Sequence, residues 1–156
     1  MAEETKRKKP VMLTGRSRKY LEHQGYIVAL VERSLDVPKF PGSTERFRNK
    51  FDAFGFADLA AVHPDKTGTL FIQVTDHAHR LDRLAKILAL RTPKVILQAN
   101  NRIELHTWKA SRKQGRKLWC LRLQAAHLWI DGTKVEFEEP QEKWFLENMT
   151  EYEPEF

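Results

Sequence analysis

Apolar residues recur along this chain at two periods, and the switch between them marks its elements. Residues 26–32, YIVALVE, are apolar and β-branched and predict a buried strand. Residues 15–24 before it predict a short helix, with Ser17 as N-cap, Tyr20 and Leu21 turned inward, and Gly25 in the left-handed position that ends a helix. Residues 57–63 and 69–75 predict two more strands around the turn-forming PDKTG. In the second of these, Leu70, Ile72 and Val74 share one face and Phe71, Gln73 and Thr75 the other. The period then lengthens. Behind a capping Asp76, Leu81, Leu84, Ala85, Leu88 and Ala89 fall on one stripe of a helix, with Arg80, Arg83 and Lys86 off it. Pro93 opens another short helix, closed by Asn100-Asn101. Strands follow at 102–108 and 117–123, flanking a basic loop KASRKQGR, and Asp131-Gly132 marks a hairpin between 127–130 and 134–137. Residues 34–50, with Pro38, Pro41, Gly42 and the basic run Arg46, Arg48 and Lys50, predict a loop.

The element order, α-β-β-β-α-(α)-β-β and a hairpin, predicts an α/β domain with a sheet flanked by helices. It occupies residues 13–137, between a basic disordered arm at 1–12 and an acidic tail at 138–156 whose charge favours mobility despite its aromatics. Length and composition, 156 residues with 41% hydrophobic and 31% charged, fit one globular domain. No apolar run approaches the roughly 20 residues of a membrane span. The charged N-terminus and the single cysteine, Cys120, lead us to expect a cytoplasmic protein without an internal disulfide.

Charge changes the picture more. Residues 135–156 hold eight acidic residues and one lysine, so with a whole-chain charge of +6 the first 134 residues carry +13. A body this basic suits a polyanion, because each cation paired with a phosphate releases counterions. The bland alternative is a solvated basic surface.

Within the body one group of polar residues could do metal chemistry. Mg²⁺ is held by one or two carboxylates on rigid elements and keeps waters and phosphate oxygens as its remaining ligands. Asp58 starts a strand, Asp52 lies just upstream, and Glu22 is on the first helix. Gln73 offers a carbonyl oxygen from the next strand, and Thr75 faces the same way two residues on.

The stretches YLEHQGYIVALVE, GFADLAAV and FIQVT resemble the PD-(D/E)XK nuclease superfamily, most closely its Holliday-junction-resolvase-like branch. There, a helix with a glutamate precedes a strand, the next strand supplies the main metal-binding aspartate, and the third ends in E-x-K before a helix. The resemblance spans residues 15–110. It implies a restriction-endonuclease-like mixed central sheet, here with an extra C-terminal β-hairpin. It also implies a metal-dependent DNA endonuclease using Mg²⁺ or Mn²⁺, with branched or junction DNA as the substrate shape and a homodimer as the assembly to test. Residue by residue, Glu22 takes the glutamate position and Asp58 the aspartate. Gln73 takes the acidic position of E-x-K and Thr75 the lysine, leaving Thr75 to hold or orient the water. Asp58, Gln73 and Thr75 are thus the catalytic candidates and Asp58, Gln73, Glu22 and Asp52 the metal ligands. Lys50, Arg80, Arg83, Lys86, Arg112 and Lys113 are the candidate DNA contacts.

The two departures cut against catalysis. Gln73 removes a negative charge, and a threonine hydroxyl cannot supply a lysine's positive one. Arg80, Lys86 or Lys50 would have to supply it from elsewhere. The alternatives are a non-catalytic nucleic-acid-binding module on the same fold and an interaction protein whose acidic tail docks on the basic body. His77 and His79 beside Asp76 could ligate Zn²⁺ or Mn²⁺, but two residues apart on a helix they diverge. Trp108, Trp119 and Trp129 suit core packing better than base stacking.

Overall fold

In the computed structural model, which describes residues 13–113 and 115–153, helix α1 (Leu13–His23) leads into β1 (Ile27–Leu30). A separate ribbon of β2 (Arg33–Pro38) and β3 (Arg46–Phe51) follows, then β4 (Leu59–Val62) and β5 (Leu70–Asp76). Helices α2 (Arg80–Ala89) and α3 (Thr92–Gln98) cross over to β6 (Arg102–Lys113), and β7 (Arg116–Leu128), β8 (Val135–Phe137), β9 (Gln141–Phe145) and β10 (Glu151–Tyr152) complete the chain. The main sheet runs β1-β4-β5-β6-β7-β9-β10, with β8 paired to β7. Only β5 and β6 run parallel, which requires the helical crossover between them; the other pairs are antiparallel.

Helices cover both faces, so the central strands are buried on both sides. On the α1 face, Tyr20 and Leu21 pack with Leu59, Leu70, Ile72, Val74, Trp108 and Leu121. On the other, Phe56, Ile87, Ile96, Ile103 and Leu105 form a second cluster that Phe71 and Leu84 join. The two β5 faces read from the sequence thus meet different cores. A buried hydrogen-bond network ties α1 to β6. Trp108 Nε1 donates to Ser17 Oγ (2.8 Å), which also lies 2.9 Å from His106 Nδ1.

Four expectations need correction. First, residues 34–50 form the β2–β3 ribbon, with Arg33 opposite Phe51 through Pro38 opposite Arg46. The two prolines and Gly42 lie at the end of β2 and in the turn, where they interrupt no ladder bond inside the pair. Second, of the apolar stripe foreseen on α2 only Leu84 packs against the core. Leu81 and Leu88 are exposed, while Ile87 is fully buried and Leu84 partly so. The helix is rotated so that Arg83 turns toward the sheet's end. Third, the basic segment after Trp108 is no loop, because β6 and β7 stay paired out to Lys113 and Arg116.

Fourth, the acidic tail is docked through residue 153. β9 extends the sheet beside β7, and Phe145 and Met149 are buried against Tyr20 and Trp108. Charge assists here, because the tail meets the basic body. Arg16, itself buried, bonds Glu147 (3.0 Å) and stacks 3.8 Å from the Trp119 ring; Arg122 bonds Glu142 (2.9 Å). Hydrogen bonds from Trp119 and Arg16 hold the Glu147 carboxyl below its usual range. Of the tryptophans at 108, 119 and 129, Trp108 is in the core, Trp119 is half-buried and Trp129 is exposed at the β7–β8 hairpin. Cys120 is buried, and burial pushes its thiol up to about 11, which suits an inert packing residue. The basic arm at 1–12 lies outside the described residues.

Candidate metal and phosphate site

Asp58 is set by backbone geometry on both sides. Its N–H donates to Ile72 O of β5 (2.9 Å), and its carbonyl accepts from Val31 N–H just past β1 (3.0 Å). Asp52 reaches the same point because the intervening loop is pinched shut. Ala53 and Ala57 exchange backbone hydrogen bonds (3.0 and 2.9 Å), and the turn between them uses positive φ at Phe54 (55°) and Gly55 (84°). Thr92 Oγ1 pins that turn through Phe54 O (2.7 Å). Glu32 follows β1 directly. Ligand oxygens of Glu32, Asp52 and Asp58 lie within 4.8 Å of one another.

The three carboxylates line a cavity of about 290 Å³ with Thr14, Gln73, Val74, Lys50, Arg83 and Lys86. Asp58 is the innermost, 5% exposed, and one of its oxygens accepts from Val74 N–H (2.8 Å) and Gln73 Nε2 (2.7 Å). Burial is the main cause that raises its pKa, to about 7. The Val74 N–H opposes this, while the Asp52 charge and the hydrogen bond and charge of Glu32 add to it. The outer carboxylates have cationic partners: Lys50 Nζ is 2.9 Å from Glu32, and Lys86 Nζ is 3.5 Å from Asp52. The hydrogen bond to Glu32 is the leading cause raising the Lys50 pKa. Gln73 is 2% exposed, and its Oε1 has no hydrogen-bond partner. Three clustered carboxylates form an oxygen-rich set of the kind a hard divalent cation takes, and Gln73, with its unpartnered Oε1, lines the same cavity. Lys50, Lys86 and Arg83 line the same cavity, the two lysines beside the outer carboxylates, and cations there suit a phosphate.

Among the sequence candidates, Asp58, Asp52, Gln73, Lys50, Arg83 and Lys86 therefore come together. Glu22 does not: it is exposed on α1, paired with Arg18 (2.8 Å), and Glu32 stands at the cluster instead. The sequence held one signal for Glu32, a lone carboxylate closing an apolar β-branched run. Thr75 is buried beside Thr107 of β6 and is not among the cavity-lining residues. Arg80 donates to Gln124 (3.1 Å), away from the cavity lining. Arg112 and Lys113 lie at the far end of β6, where Lys113 sits 4.4 Å from the Trp144 ring centroid. His79 pairs with Asp76 (2.6 Å), and neither it nor His77 joins a group of three metal-ligating side chains among the described residues. A Ser17–His106–Glu104 chain resembles a nucleophile relay only on paper, because Ser17 and His106 are wholly buried.

No helix among the described residues is long and apolar enough to cross a membrane. No known protein family, curated protein or solved structure matches the chain.

Proposed function

We propose that this chain is a metal-dependent nuclease that hydrolyses phosphodiesters in DNA, built on a restriction-endonuclease-like core. The observation that carries the reading is the cavity in which Glu32, Asp52 and Asp58 converge beside the unpartnered Gln73 Oε1. The element order supports it. Helix, strand, aspartate strand, polar strand and crossover helix follow in the order the resemblance implies, with the β2–β3 ribbon inserted after the first strand.

In this reading Asp58, Asp52 and Glu32, with Gln73 Oε1, would hold Mg²⁺ or Mn²⁺. When bound, the ion lowers the pKa of water and neutralises charge building on the phosphate. The chain's own residues do the rest. Asp58 gives up its proton to become a ligand, and Gln73 Nε2 and Val74 N–H fix its orientation. Lys50 and Lys86 supply the positive charge that Thr75 lacks, and Arg83 holds a phosphate oxygen at the cavity wall.

The test is cleavage of supercoiled plasmid and of a four-way junction in Mg²⁺, in Mn²⁺ and in chelator. Wild type should nick only with metal, Asp58→Ala should lose at least about 100-fold, and Lys50→Ala or Lys86→Ala should lose more than Arg80→Ala. Cleavage that survives Asp58→Ala sinks the reading. A second reading has its own support. Lys50 and Lys86 already neutralise Glu32 and Asp52, a state that needs no ion. It describes a non-catalytic DNA-binding module, and tight binding without cleavage in either metal would favour it.

A further inference from the structure

The β2–β3 ribbon stands apart from the main sheet, and all its residues but Val37 are exposed. A two-stranded ribbon on its own is marginally stable, so two uncovered faces call for a reason. Strand register sorts its side chains sharply. Leu35, Val37, Phe47 and Phe51 share one face with Arg33 and Asn49. Arg46, Arg48 and Lys50 share the other, with Ser34, Asp36 and Pro38. The basic face is a row at steps of about 6.8 Å, two residues of strand. It runs from the turn end inward to Lys50, the residue that meets Glu32 at the cavity. One acidic side chain interrupts it, Asp36, only loosely paired with Arg48 at 3.8 Å. Arg83 and Lys86 of α2 line the same cavity, Lys86 beside Asp52.

We infer that the β2–β3 ribbon is a duplex-DNA-binding arm, in which Arg46 and Arg48 contact backbone phosphates and lead one strand to the cavity at Lys50. The ribbon is six residue pairs long, about 20 Å, and a two-stranded ribbon fits the roughly 12 Å major groove of B-form DNA. The deep, narrow major groove of A-form RNA would not admit it. This inference rests on the proposed function only for where the strand is delivered.

The experiment is fluorescence-anisotropy titration of a labelled 20-base-pair DNA duplex in chelator, from 50 to 200 mM salt, with wild type and Arg46→Ala/Arg48→Ala. Both side chains are exposed, so the double variant should fold as wild type does, which circular dichroism checks. Losing two phosphate contacts should flatten the slope of log K against log[salt] by about 1.8, so the affinity gap between the proteins narrows by about 12-fold across that range. Duplex RNA of the same sequence should bind at least about tenfold more weakly than DNA. An unchanged slope, or equal affinity for duplex RNA, overturns the arm. So does a dimer that Phe47→Ser splits in sedimentation while the Arg46/Arg48 variant keeps its slope, for the ribbon is then a contact between copies. Because binding is read in chelator, absence of cleavage would sink the nuclease reading and leave the arm standing.

Discussion

Replacing Asp58 with Asn should stabilise the metal-free protein at high pH and not at low pH. The cause is the innermost carboxyl of the cavity, whose pKa is raised from 3.8 to about 7 chiefly by burial. Between those values the folded protein keeps a proton that the unfolded chain releases. Stability therefore falls as pH rises from about 4 to 7, and the full cost stands above pH 7. A gap of about three pH units at about 1.4 kcal/mol each sets an upper bound of roughly 4 kcal/mol. Asn keeps an oxygen to accept from Val74 N–H and Gln73 Nε2, but a neutral acceptor returns about 1 kcal/mol less from such bonds than a carboxylate. The net gain should be about 2–3 kcal/mol at pH 8, shrinking to zero or a small loss near pH 4. Urea unfolding of both proteins in chelator at pH 4, 6 and 8 measures it. Added Mn²⁺ should stabilise wild type at pH 8 and leave Asp58→Asn nearly unmoved, reversing their order. A stability difference that does not vary with pH would refute the argument, because burial of an ionisable group is its entire basis.

Three further outcomes test the fold and the ligand set. Phe145→Ala should cost about 3–5 kcal/mol in urea unfolding, since Phe145 is 4% exposed against Tyr20 and Trp108; a loss under about 1 kcal/mol would mean the acidic tail is not docked. Gly68→Ala should cost about 2–4 kcal/mol, because φ is +76° there and a Cβ would collide with the carbonyl oxygen of Asn100. Glu22→Ala should change stability by no more than about 0.5 kcal/mol and leave Mn²⁺ affinity unaltered, whereas Glu32→Ala should weaken Mn²⁺ at least tenfold by calorimetry. Equal effects of those two would put Glu22 back among the ligands.

Much of the core was legible because burial leaves a period in sequence. LFIQV reads as a strand covered on both faces, and β5 is one. YIVALVE, expected to be a buried strand, instead gives the edge strand β1, in which Val28 is buried but Ile27 and Leu30 are exposed because β4 covers one edge only. The errors fall where burial is not the organising force. The β2–β3 ribbon buries neither face, so its charged, proline-bearing residues give no core signal even though Leu35, Val37, Phe47 and Phe51 fall on one side. On α2 two apolar stripes compete. The foreseen one, through Leu81, Leu84 and Leu88, is broader in sequence, but only its Leu84 edge packs, together with Ile87 from off the stripe, and in that rotation Arg83 and Lys86 line the cavity. The tail's net charge argued for mobility, and counting charge on one segment alone conceals its partners, Arg16 and Arg122, more than 100 and 20 residues away. Glu32 was missed because proximity to Asp58 depends on β1 pairing with β4, a contact that no local pattern carries.

The cavity differs in kind from the other polar groups in the interior. Ser17, His106 and Trp108 are as deeply buried as Asp58, but each has a hydrogen-bond partner, so that network can be kept for stability alone. Five buried side-chain atoms among the described residues lack a partner. They belong to Arg16, Gln73, Arg102 and Thr107, and Gln73 Oε1 alone belongs to a residue of the cavity wall. There Gln73 turns its amide nitrogen to Asp58 and leaves its oxygen unpartnered. Burial penalises the Asp58 charge, and the Asp52 and Glu32 charges oppose it further even though Lys86 and Lys50 pair with those two. Apolar side chains of similar volume would remove all three costs at once, and buried charges are often replaced in that way without loss of stability. A fold chosen for stability alone has no use for such a point. In the proposed reading a divalent cation would offset every part of it together, by taking the Gln73 oxygen as a ligand, displacing the Asp58 proton and screening the carboxylates from one another. That one ligand would relieve three separate penalties is the strongest physical reason to expect one there.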